Sequence, residues 1–204
     1  MQSLGSRRRV AALGALALIL TIGIGTVAAA GPWNTARTGV AAPVAATAAP
    51  VAAAAVRSGA LTNAQQTLLA GMAEEEKLAQ DLYAAFATLY PSAMWDRIGS
   101  AEATHVAAIR TLLTTYAIAD PTAGLPAGTF ASPSVAAMYA DLLAQGSVSE
   151  AAAFGVGKLV EIDDIAKLDA ARVGVTAADV LSVYANLRNG STQHLSAFTR
   201  QLPN

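Results

Sequence analysis

Residues 98–116, IGSAEATHVAAIRTLLTTY, decide the fold. Ile98, Glu102, His105, Ile109, Leu112 and Tyr116 recur at spacings of 4, 3, 4, 3 and 4, the repeat that aligns side chains on one face of an α-helix. A face of that kind normally packs inward and is apolar. This one carries a glutamate and a histidine at its middle. What they are for depends on whether other helices do the same.

The same repeat predicts four long helices, over about 62–90, 96–118, 148–169 and 176–201. Pro91 ends the first, and "DP" at 120–121 follows the second. Ser147 or Ser149 is the expected cap of the third, and Thr176 that of the fourth. The third presents Phe154, Gly157, Glu161, Asp164 and Leu168 on one face; the fourth presents Val180, Tyr184, Leu187, Ser191, His194 and Phe198. The first allows two stripes. Leu69, Met72, Glu76, Ala79, Tyr83 and Phe86 form one, while Leu68, Met72, Glu75, Ala79, Leu82 and Phe86 form the other. No segment alternates with the period of a strand. The expected class is all-α: four main helices, with a long crossover (residues 119–133, ADPTAGLPAGTFASP, then a short helix near 133–145) between the second and third.

Each main helix therefore places an ionisable group near the centre of its inward face. Burying one unpaired charge costs several kcal/mol, roughly, so such groups need something that neutralises them. Carboxylates and imidazoles converging between helices make the donor set of a pair of divalent ions, and oxygen and nitrogen donors suit iron or manganese. Residue by residue, plainer readings compete. "EEEK" at 74–77 reads as a solvated run, Glu102 as a helix-dipole residue if its helix begins at Ser100, either histidine as a hydrogen-bonded core group, and "EIDD" with Lys167 as a charged surface. Ser191 reads as a small residue that lets helices approach, and Tyr83, Tyr116 and Tyr184 as core. Those readings must hold on four helices in register.

Composition narrows the classes. Apolar residues make up 54% and charged residues 13%, enough for a core; the net charge of −1 gives no field for nucleic acid. The absence of cysteine excludes disulfides, thiol nucleophiles, cysteine zinc sites and iron–sulfur clusters. Residues 1–30 combine "RRR" at 7–9 with the uncharged apolar run 10–30 and the small residues "AAAG" at 28–31. They read as an export leader cut after Ala30, or, if kept, as an N-terminal membrane anchor. "SRRRVAA" loosely resembles a twin-arginine signal without its usual continuation. Residues 31–60 are Ala/Pro-rich and read as a disordered linker, leaving 61–204 as the domain.

"EEEKLAQDLY", "IGSAEATH", "GSVSEAAAFGVGKLVEIDDIAKL" and "VYANLRNGSTQHLSAF" together resemble the ferritin-like family called domain of unknown function 2202, over about 62–201. The resemblance implies a ferritin-like four-helix bundle around a carboxylate-bridged pair of iron ions, with oxidase, peroxidase or ferroxidase chemistry. "EKLAQDLY" matches the E-x-x-A-x-x-x-Y of rubrerythrin-like proteins, which favours Glu76 over Glu75. Glu102 and His105 match a second-helix E-x-x-H, Glu161 and Asp164 an E-x-x-E with a shortened second arm, and His194 the histidine of a fourth-helix E-x-x-H. Ser191 stands where that last motif has its glutamate, so one bridging carboxylate of the pattern is missing.

The expected metal ligands are thus Glu76, Glu102, His105, Glu161, Asp164 and His194, holding two iron ions or manganese; Asp163 and Lys167 are outer candidates. The expected function is an exported di-metal protein. Its partners are a small oxidant (O2 or H2O2) or iron itself, a membrane only through residues 10–30, no nucleic acid, and a second copy in a homo-dimer. The alternative is a non-enzymatic metal-binding or envelope interaction module on the same bundle.

Overall fold

The computed structural model describes residues 57–203. These form five helices, α1 (Asn63–Leu89), α2 (Ala93–Tyr116), α3 (Pro133–Gly146), α4 (Glu150–Ala171) and α5 (Ala178–Gln201), and no strand is present among them. The expected leader and most of the expected linker lie outside the described residues. Among the described residues, no helix is long and apolar enough to cross a membrane.

Local chemistry sets most of the boundaries. Thr62 and Gln65 form a reciprocal capping box at the start of α1. Helix α2 begins three residues before its expected start, directly after Pro91–Ser92, so Glu102 sits in the third turn and not at a helix N-terminus. Ser149, one of the two expected caps, accepts from the Ala152 amide at 3.1 Å. The expected cap of the last helix is corrected: Ala177, and not Thr176, occupies the N-cap of α5 and has no side chain to offer. The cap comes from Ser58, whose Oγ accepts from the Asp179 amide at 2.8 Å across 121 residues. Beside it Gly59 lies so close to Ala177 that a Cβ would come within 3.0 Å of the Ala177 Cα. The chain ahead of residue 61 is thus packed on the bundle from Arg57 onward, with Arg57 Nε donating to the Thr115 carbonyl at 2.7 Å.

The C-terminus of α2 is held by Ala117 in the left-handed region, φ 55° and ψ 41°, which lets the Ile118 amide reach the Leu113 carbonyl at 2.8 Å. A side chain in that conformation costs about 1 kcal/mol relative to glycine. Ala117→Gly is therefore expected to stabilise the chain by up to about 1 kcal/mol, raising its melting temperature by about 2–4 °C in thermal melts.

Two apolar layers fill the bundle. One joins Leu69, Met72, Ile109, Leu113, Leu168 and Leu187; the other joins Leu82, Phe86, Trp95, Ile98, Phe154 and Phe198. The first draws on the start of α1, the end of α2, the end of α4 and the start of α5, and the second draws on the opposite ends. The helices therefore run up, down, down and up. Helix α2 ends at one layer and α4 begins at the other, so the chain between them must travel the length of the bundle. It does so with α3 packed on α1 and α4. Polar groups of α1 hold this crossover: Glu74 accepts from the Ser132 amide at 2.8 Å, Asp81 from the Gly128 amide at 2.9 Å, and Lys77 donates to the Pro126 carbonyl at 2.9 Å. Between the two layers lies the polar one.

Candidate metal centre

The solvated reading of "EEEK" is overturned, because each residue of the run faces a different partner. Glu74 and Lys77 are buried against the crossover. Glu75 turns outward to Lys167 Nζ at 2.7 Å, and the same amine meets Asp163 at 2.7 Å. Glu76, 2% exposed, points into the bundle. Of the two stripes open to α1, the one through Glu76 is the one that faces the polar layer.

Glu102 lies at the centre of that layer. Its Oε2 is 2.9 Å from His105 Nδ1 and its Oε1 is 2.7 Å from His194 Nδ1. His105 Nδ1 also stands 3.3 Å from Glu76 Oε2, and His194 Nδ1 stands 3.5 Å from Glu161 Oε1. The imidazole centroids are 5.8 Å apart. Two groups of three donors result, Glu76–Glu102–His105 and Glu102–Glu161–His194, each with its atoms within 4.8 Å of one another. Glu102 belongs to both.

Asp164 stands beside these groups and joins neither among the described residues. Its Oδ2 accepts from Ser191 Oγ at 2.6 Å, and the Leu187 carbonyl, 2.9 Å from the same hydroxyl, is the alternative acceptor. Ser191 is thus more than a small residue that lets helices approach: it holds a carboxylate of the layer. Tyr83, wholly buried, donates to Glu161 Oε1 at 2.7 Å. The spacing of "EKLAQDLY" signalled Tyr83, but its polar role was not legible. Gly190 was missed altogether. A Cβ there would come within 2.6 Å of His105 Nε2, so this mid-helix glycine, about 1 kcal/mol less favourable than alanine, leaves the space the ring occupies.

Several polar atoms in the layer remain without hydrogen bonds: Glu76 Oε1, Glu102 Oε1, Asp164 Oδ1 and His194 Nδ1 are all shut off from water. His194 Nδ1 and Glu102 Oε1 are close, yet out of line for a hydrogen bond. Buried polar atoms are nearly always satisfied, so unaligned acceptors and donors gathered at one level call for a shared partner.

The electrostatics carry the same tension. Burial pushes Glu76 well above the usual carboxylate range, against the pull of His105. Burial also raises Glu161 and lifts Asp164 to about 7. Burial acts on Glu102 in the same direction, but two histidines outweigh it and hold that carboxyl down at about 2. Burial disfavours the imidazolium forms, yet Glu102 and Glu76 lift His105 to about 10, and Glu102 and Glu161 lift His194 to about 9. At neutral pH both imidazoles hold their protons beside an ionised Glu102, and burial shifts the other carboxyls of the layer toward their protonated forms.

Similar proteins share the arrangement of helices. The crystal structure of hypothetical protein MJ0754 from Methanococcus jannaschii matches with a TM-score of 0.69 at 34% identity, covering 71% of this chain and 82% of that one. In sequence, Uncharacterized protein MJ0754 of Methanocaldococcus jannaschii is 37% identical over 133 residues, 65% of this chain and 72% of that protein. A family model described as Uncharacterized protein domain (DUF2202) matches residues 65–204, which span α1 from its first turn through α5 and the whole polar layer. The chain belongs to the DUF2202 family.

Proposed function

We propose that the polar layer holds a pair of iron ions, with manganese as the alternative occupant, and that the protein is a ferritin-like di-metal oxidase, peroxidase or ferroxidase. The observation that carries the reading is the pair of three-donor groups sharing Glu102. The buried oxygens and imidazole nitrogen left without aligned partners fit bound cations, which satisfy several such atoms at once.

Glu76 and His105 would hold one ion and Glu161 and His194 the other, with Glu102 common to both and Asp164 supplying a further oxygen. Held there, a redox-active pair of ions would supply electrons to O2 or H2O2, or the same carboxylates and imidazoles would take ferrous iron as the substrate. The rest is the work of the chain. Tyr83 orients Glu161 through its hydroxyl, Ser191 orients Asp164, and Gly190 keeps the His105 ring in place. The two apolar layers keep water from the ligands on both sides. The leader-like residues 1–30 support an exported setting, in which a small oxidant is a reasonable partner.

The test is elemental mass spectrometry on the full chain purified from cells supplied with iron and manganese, beside a His105→Ala, His194→Ala variant. About two ions per chain are expected, and loss of both imidazoles should remove most of them. Less than a few tenths of an ion per chain in the unaltered protein, persisting after anaerobic Fe(II) addition, would sink the reading and favour an interaction module.

A further inference from the structure

A cavity of about 230 Å³ runs between α1, α3 and α4 and ends at the polar layer. Its inner end is formed by Glu76, Glu102, Glu161 and Asp164, and neither histidine lines it. It therefore meets the candidate centre from the carboxylate side. Its walls are Leu78 and Ala79 of α1, Met138 and Leu142 of α3, and Leu159 and Val160 of α4. At the outer end Glu75 and Asp163 are tied together by Lys167, and Leu159 is 55% exposed.

Size and lining narrow the occupant. Dioxygen and hydrogen peroxide are close to water in size, and water claims about 30 Å³ in the liquid, a small part of this volume. A dry apolar cavity of about 150 Å³ already takes benzene. A passage for hydrated ions would need polar groups along its whole length, whereas the stretch between the outer and inner acids is walled by apolar side chains of three helices. Anions are disfavoured because no lysine, arginine or histidine is among the lining residues to pair with one. α3 supplies an apolar wall and none of the expected ligands, so the long crossover has a role beyond connection: it walls one side of the cavity.

Resting on the di-metal reading, we propose that this cavity is the substrate site, and that it takes a neutral, largely apolar organic molecule about the size of a single aromatic ring.

The experiment is a ¹⁹F NMR titration of the full chain with fluorobenzene, metal-free and after loading with Mn(II), with 4-fluorobenzoate as the anionic control. Saturable binding of fluorobenzene alone is expected, with its resonance broadened by the paramagnetic ions in the loaded protein. Met138→Trp, which fills the cavity from α3, should weaken binding by at least about tenfold and leave metal content unchanged. Leu142→Trp is the second variant should the first fail to fold. Absence of saturable binding, or binding that neither tryptophan weakens, would overturn the proposal. The two readings separate cleanly. Ions bound without fluorobenzene refute the substrate site alone; fluorobenzene bound and blocked by Met138→Trp, in a chain that takes up no ions, refutes the metal centre alone.

Discussion

Glu102→Gln is expected to abolish both metal positions at once, whereas Glu76→Gln should spare one. The difference follows from where each carboxylate sits. Glu76 belongs to the group with His105, Glu161 to the group with His194, and Glu102 to both. Glutamine keeps the shape of the side chain and one oxygen, but it removes the charge that two imidazoles face at 2.9 and 2.7 Å. Elemental analysis should then find well under one ion per chain for Glu102→Gln and about one for Glu76→Gln or Glu161→Gln. The metal-free protein should respond as well. At neutral pH both imidazoles are held protonated by Glu102 together with its outer neighbours, and breaking a buried pair by removing one partner costs about 3–5 kcal/mol. Thermal melting of the metal-free Glu102→Gln chain should report that loss, with circular dichroism confirming that the helices persist. Two ions retained in Glu102→Gln would show that the ions do not share this residue.

How much of this could be read in advance follows from the range of the interactions involved. The four inward stripes were legible because helical periodicity is local. Glu102 and His105, Glu161, and His194 fall at the level that spacing assigns them. The choice between Glu75 and Glu76 was not local. Both sit on stripes that repeat correctly, and what separates them is the neighbour each meets on α4 and beyond: Lys167 takes Glu75 outward and the polar layer takes Glu76 inward. Asp164 shows the same limit: one turn beyond Glu161 and a methylene shorter than glutamate, it stops at Ser191 instead of entering a three-donor group. The cap of α5 was out of reach of any local rule. Ser58 arrives from 121 residues away, while the nearby threonine that resembled a cap leaves the position to Ala177. Gly190 carried a signal, since a glycine inside a helix needs a reason, but its reason is a ring on another helix.

The stability that bound metal adds should grow as pH rises, while the metal-free protein loses stability. In the metal-free chain His105 holds its proton to about 10 and His194 to about 9, against 6.5 for an unperturbed histidine. Between those values the folded chain binds protons that the unfolded chain has released, so this contribution, complete below 6.5, is lost as pH rises through 9 and 10. The raised carboxyls act in the same direction: Asp164, moved from 3.8 to about 7, together with Glu76 and Glu161, costs stability as pH climbs above the unfolded values. Within the polar layer, Glu102 opposes them. Its folded value of about 2 lies below 4.5, so its contribution is present above 4.5 and lost only as pH falls through 2. From neutral pH upward the metal-free protein should therefore melt at progressively lower temperature. The ions require the same imidazoles and carboxyls without their protons, so protons compete with metal and loading releases protons at neutral pH, among them those of His105 and His194. Stabilisation by bound metal grows as that competition fades. With Mn(II) under argon, the gap between loaded and metal-free melting temperatures should widen between about pH 6 and pH 8.5, by about 5 °C or more. Parallel curves, or a gap that narrows with pH, would mean that the ions do not bind through the imidazoles of His105 and His194.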